Sequence, residues 1–271
     1  MKRSFSFFFS LKQIPFFFSP LPLIYIHTAS YQDQVRDFTE SEVSKLKQVM
    51  DTLEKLFNER GRSLPPQKVT FIKTTMEEEG GAVAYTHKME IYLGAEFLKE
   101  SPAKIMLTVC HELWHCLSRY HPDLRKKLYA LINFKIADRD YPIPGEIREF
   151  FLTDPDVMHH DASAIFDIEG MRMECFCAVR TTERYKDGDH EPFFSKLLPV
   201  LIATDGSAWC SFGYARNREQ VFGKNTGYTI DPEECIADNF SYAICYGMAG
   251  PDGKGYPSPE IIKGMLNIIN C

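Results

Sequence analysis

Between Ser101 and Leu117 the apolar residues Ile105, Met106, Val109, Cys110, Leu113, Trp114 and Leu117 return every three or four positions, which predicts a helix with one broad buried face. Ser101 suits the N-cap and Pro102 the first helical position, so the start of that helix is marked too. Ahead of it, Val69-Thr70-Phe71-Ile72 and the run from Ala82 to Leu93 are rich in β-branched and aromatic residues. They predict strands, with the acidic Glu77-Glu78-Glu79-Gly80-Gly81 as the turn between them. Thr39-Glu40-Ser41-Glu42 has the capping-box pattern and opens an amphipathic helix to about Arg60. Asp231-Pro232 opens another helix by the same cap logic, with Glu234 at its third position. From about 140 to 230 the turn signals Pro142, Pro144-Gly145, Asp154-Pro155 and Asp187-Gly188 break up short apolar runs. That stretch reads as an insertion shaping a cleft.

The first thirty residues follow a different pattern. Lys2-Arg3 precede Phe7-Phe8-Phe9, then Ile14 to Phe18 and Leu21 to Ile26, and Thr28-Ala29-Ser30 stands before polar Tyr31-Gln32-Asp33-Gln34. This resembles an export signal with a small-residue cleavage site, so the expectation is a mature chain beginning near Tyr31 in the periplasm or outside the cell; the alternative is a cytoplasmic protein with a hydrophobic leader. Lys12-Gln13 and three prolines interrupt the leader, which argues against a stable transmembrane span. Residues 31–271 then form one domain, for which 44% hydrophobic content is enough to build a substantial core. A net charge of −6 argues against a general nucleic-acid partner. Eight cysteines would suit disulfides in an exported protein or buried thiols in any other, and none has the CxxC spacing of a structural zinc site.

The chemistry is concentrated in His111-Glu112-Leu113-Trp114-His115, in the last turns of the first helix. Four helical residues turn roughly 400° and rise about 6 Å, so the two imidazoles share a face and can hold one ion. Glu112 lies one position round, where it reaches a water on that ion. The bland alternative is a pair of core histidines satisfied by hydrogen bonds, with Glu112 in a salt bridge.

A catalytic zinc takes three protein ligands plus water, and the spacing leaves the third open. His121 stands where a metzincin-type HExxHxxGxxH has its last histidine, with Ser118 in place of the glycine; Met248 is the matching candidate for a Met-turn. Glu234, with Asp238 four residues on and on the same helical face, has the spacing of a gluzincin ligand and the acid that orients a zinc histidine. His159, His160 and Asp161 are further candidates.

A sheet whose edge strand precedes an HExxH helix resembles the zincin metallopeptidases. Within them, His111-Glu112-Leu113-Trp114-His115-Cys116-Leu117-Ser118-Arg119 and Pro232-Glu233-Glu234-Cys235-Ile236-Ala237-Asp238-Asn239-Phe240 resemble a gluzincin-like bacterial group carrying HELxHxLSR and PEExxADNF motifs, over roughly residues 82–245. That resemblance implies an α+β zincin-like fold with a small mixed sheet, Zn²⁺ on His111, His115 and Glu234, and Asp238 behind a histidine. It also implies an edge strand that takes extended peptide by β-augmentation. The function expected is hydrolysis of peptide bonds by a zinc-activated water with Glu112 as general base. Tyr242, Arg119 and His190 are candidates for the oxyanion donor. The rival readings are a non-catalytic binding module on a zincin scaffold and a zinc hydrolase of non-peptide amides. Nothing in the sequence addresses oligomeric state.

Overall fold

The computed structural model describes residues 8–11, 31–61, 64, 68–183 and 193–270, which form two small sheets and a set of helices around one main apolar core. The first sheet is built from β1 (Phe8–Leu11), β2 (Val35–Arg36), β3 (Lys68–Thr74), β4 (Ala84–His87) and β5 (Glu90–Gly94). Its order is β1-β3-β5-β4, with β1 and β5 parallel to β3 and the short β2 antiparallel to it. The sheet is therefore mixed, and β4 is an edge. The run from Ala82 to Leu93 is two antiparallel strands and not one, because Lys88 turns with φ +55° and folds β4 back on β5. Lysine at a left-handed position carries no turn signal in the sequence.

The stretch read as an insertion carries the second sheet: β6 (Lys135–Ile136), β7 (Phe151–Leu152), β8 (Ala162–Ile168), β9 (Met171–Thr181), β10 (Leu197–Ala203) and β11 (Trp209–Ser211). The order is β11-β10-β9-β8-β6, with β7 on β9, and every pairing is antiparallel. The β8–β9 hairpin closes on Glu169 and Gly170, both at positive φ, the geometry that matches the twist of a two-residue turn.

The helices are α1 (Tyr31–Gln34), α2 (Glu40–Arg60), α3 (Pro102–Tyr120), α4 (Pro122–Tyr129), α5 (Gly145–Arg148), α6 (Arg218–Phe222), α7 (Pro232–Tyr246) and α8 (Pro259–Asn270). The predicted caps form: Thr39 and Glu42 close the capping box of α2, and Ser101 accepts from Lys104 N ahead of Pro102. Leu53 and Phe57 of α2, Val109, Leu113 and Trp114 of α3, and Ile236, Phe240 and Ile244 of α7 are buried together with Phe71 and Ile91 of the first sheet. The rings of Trp114 and Phe240 lie 5.5 Å apart and those of Phe57 and Phe240 6.0 Å. This shared core fixes α3 against α7.

The fold thus mixes helices with small sheets, in keeping with an α+β class. All seven cysteines among the described residues are free thiols, and no described helix is long and apolar enough to cross a membrane. Four residues of the leader, Phe8–Leu11, pair with β3; the rest of it, with Thr28-Ala29-Ser30, lies outside the described residues.

Candidate metal centre

From Glu112 to Ser118 every residue of α3 is buried, so the polar groups in these two turns must find partners inside the protein. The partners come from α7. Its N-terminus is set by Asp231, which accepts a hydrogen bond from Glu234 N at 3.0 Å, and by Pro232 at the first helical position. Its last turn is held by Arg60, whose Nη1 donates to the carbonyls of Ile244 at 2.6 Å and Cys245 at 3.1 Å. Glu233 and Glu234 are thereby buried in the first turn, against α3.

The two histidines are oriented alike. Nδ1 of His111 donates to Asp238 Oδ1 at 2.9 Å, and Nδ1 of His115 donates to Glu233 Oε1 at 3.2 Å. Both Nε2 atoms then face the Glu234 carboxylate, His111 at 3.0 Å from Oε2 and His115 at 3.7 Å from Oε1. The second distance is too long for a hydrogen bond, and His115 Nε2 is left buried and unpartnered. Glu112 Oε2 is in the same condition in a side chain only 4% exposed. Asp238 is itself held by the Thr226 hydroxyl; Glu233 also accepts from Ser118 Oγ at 2.5 Å and from the Tyr129 hydroxyl.

Burial and charge act in opposition here. Burial alone would lower the pKa of both histidines, but the surrounding carboxylates outweigh it: Asp238 and Glu234 raise His111 well above its usual value, and Asp156, Glu234 and Glu233 push His115 up to about 10. Burial first and Asp156 second push the Glu112 carboxyl up to about 8. Glu233 shifts the other way, because His115, Arg125 and Ser118 overcome its burial and hold it below the usual carboxylate range.

Sequence reasoning missed part of this site. Asp154-Pro155-Asp156 reads only as a turn, yet ligand atoms of Asp154, Asp156 and Glu234 lie within 4.8 Å of one another, as do those of Glu112, His115 and Asp156. Tyr228 stacks on the His111 ring with centroids 6.2 Å apart. Burial, then the carboxylates of Glu234 and Asp154, raise its pKa well above the usual tyrosine value, so it stays a donor. Glu233, beside Glu234, carries no role in the sequence reading, although an acid at each of two adjacent positions on a buried helix start is a signal in itself. No local pattern announces the aspartates or Tyr228, because they come from loops far away in sequence.

Several candidates are not brought to the pair. His121 sits at the junction of α3 and α4 and joins none of the three donor clusters, each drawn from His111, Glu112, His115, Asp154, Asp156 and Glu234. Met248 lies in a turn at 45% exposure, unlike a methionine packed under a metal. His159 is near Asp140, the His160 ring packs on Phe151 and Phe176, and Asp161 forms a paired bridge with Arg125 at 2.6 and 2.9 Å. Arg119 gives Nη1 and Nη2 to the carbonyls of Lys88, Thr86 and Pro155 and to Asp156, while its Nε is buried without a partner; Tyr242 stacks on Tyr256. His190 lies outside the described residues.

His111, His115 and Glu234 could hold a metal ion. Two imidazole nitrogens and one carboxylate oxygen are a donor set that suits Zn²⁺. Both Nδ1 atoms are tied to acids, which is the tautomer that frees Nε2 for a ligand bond. The unpartnered Nε2 of His115 is the observation that asks for a cation, since a buried polar atom without a partner costs about 1–3 kcal/mol. Compared with known families, curated proteins and solved structures, the chain matches none of them.

Proposed function

We propose that this protein is a zinc-dependent metallopeptidase of zincin-like fold, with His111, His115 and Glu234 as zinc ligands and Glu112 as general base. The observation that carries the reading is the convergence of both Nε2 atoms on Glu234 beside a buried Glu112 oxygen that has no partner. A binding module would gain nothing from that oxygen, which destabilises the fold, whereas a base must be free to take a proton. When bound, zinc supplies Lewis-acid polarisation and acidifies water.

The rest falls to the chain. Glu112 Oε2 accepts the proton of the attacking water and passes it to the leaving amine. Asp238 and Glu233 keep the imidazoles turned and electron-rich. Tyr228, held protonated beside His111, donates to the oxygen on which charge develops. The reading is tested by zinc content and by cleavage of peptides with and without a chelator. Purified protein that takes up no zinc and cleaves nothing after zinc is restored would overturn it.

A further inference from the structure

The edge strand β4 is the natural place for an extended substrate to pair, yet it is closed beside the metal centre. Val83 O accepts from Gly94 N at 3.1 Å, so by alternation Tyr85 and His87 face β5 while Ala84 and Thr86 face the open edge. Both outward groups of Thr86 are taken. Its N–H donates to Asp156 Oδ1 at 2.9 Å, its hydroxyl donates to the same oxygen, and its carbonyl accepts from Arg119 Nη2 at 3.3 Å. Arg119 also grips Pro155 O at 2.7 Å, so the segment 154–156 is clamped against the edge from α3 itself. A peptide running along β4 would be stopped at Thr86.

The clamp brings acidic side chains together. Asp154, Asp156 and Glu234 approach within 4.8 Å, and Asp156 comes equally near the buried, unpartnered Glu112. The Oδ1 atoms of the two aspartates are used, Asp154 accepting from Asp156 N at 2.8 Å, while their Oδ2 atoms meet no donor among the described residues. Asp154, Asp156 and Glu234 together offer more acceptor oxygens than one ion on His111, His115 and Glu234 would use, and Arg119 is the one guanidinium among the described residues that is paired with them. A second positive group fits against the oxygens left over.

A substrate's terminal nitrogen is separated from the carbonyl carbon of its own residue by two bonds, roughly 2.5 Å. A subsite for such a nitrogen must therefore lie directly against the metal ligands, where Asp154 and Asp156 are. Resting on the zinc peptidase reading, we infer that Asp154 and Asp156 bind the free α-ammonium of the substrate's first residue, so that the enzyme removes N-terminal residues and does not cut within chains.

The test is calorimetric binding of leucine hydroxamate and of N-acetyl-leucine hydroxamate to zinc-loaded protein. Both carry the zinc-binding group; only the first carries the ammonium. A preference of about tenfold or more for the free amine is expected, as for a charge-assisted hydrogen bond, and Asp154→Asn should erase it while still binding the acetylated probe, which shows that the variant is folded. Equal binding of the two by wild-type protein overturns the inference and leaves the zinc reading standing. Binding of neither overturns both. Two zinc ions per chain, falling to one in Asp154→Asn, would assign the acidic cluster to a second metal and overturn the ammonium subsite.

Discussion

Asp238 Oδ1 lies 2.9 Å from His111 Nδ1 although 127 positions separate the two residues, and this contact fixes which nitrogen of the imidazole faces Glu234. It also ties the orientation of one proposed ligand to the helix that carries another. Asp238→Asn keeps the shape and removes the charge. Zinc affinity should fall about 10- to 100-fold, the usual effect of losing a ligand's supporting acid, with the melting temperature of the metal-free protein changed far less. Unaltered affinity in a competition titration would show that the contact is structural only.

Glu112 is proposed to move protons and not to hold zinc. Glu112→Gln should therefore keep near-full metal content while hydrolysis drops by roughly 10² or more. Loss of zinc together with activity would instead make Glu112 a ligand.

Glu234 and His121 are separated by exchange. Glu234→Ala and Glu234→Gln should each lose most of the zinc, whereas His121→Ala should retain it, because His121 belongs to none of the donor clusters. The Gln variant matters because Asp231 already caps α7, so helix stability should survive the change and the metal alone should report. Full zinc retention in both Glu234 variants would remove Glu234 from the site.

Zinc uptake should release protons. The carboxylates around them raise His111 well above its usual value and His115 to about 10, so the metal-free protein holds protons on nitrogens that a metal requires bare. Affinity should then climb as pH rises from about 6 to 9, by roughly tenfold per unit for each proton displaced. Calorimetry in buffers of different ionisation heat counts those protons directly, and a count of zero at pH 7 would contradict the charge balance described here.

Glu42 supplies a pH-dependent element of stability away from the site. Burial raises its pKa, but the hydrogen bonds from Lys73 and Thr39 outweigh this and lower it below the usual glutamate value. A lowered folded-state pKa stabilises above the unfolded value, about 4.3, and that stabilisation is lost as pH falls through the folded one. Urea unfolding of Glu42→Gln should show a deficit at pH 7 that shrinks toward pH 3. A deficit constant across that range would place its origin in packing and not in charge.

Much of the helical frame was legible in the sequence because its determinants are local. Caps at Thr39, Ser101 and Asp231 act on backbone N–H groups three residues away, and the spacing of His111, Glu112 and His115 follows from the pitch of one helix. The same holds for the spacing of Glu234 and Asp238 within α7. The second sheet was not legible: its strands were broken by turn signals that also occur in loops, and the hairpin at Lys88 turns on a residue with no turn preference. Only tertiary structure decided that α7 faces α3 and that Glu233 sits behind His115. It also decided that Asp156 closes the edge of β4 at Thr86 and that Asp154 and Asp156 lie close to Glu234. Contacts of this kind depend on how apolar faces from distant segments share one core, and a pattern read along the chain contains the faces but not their pairing.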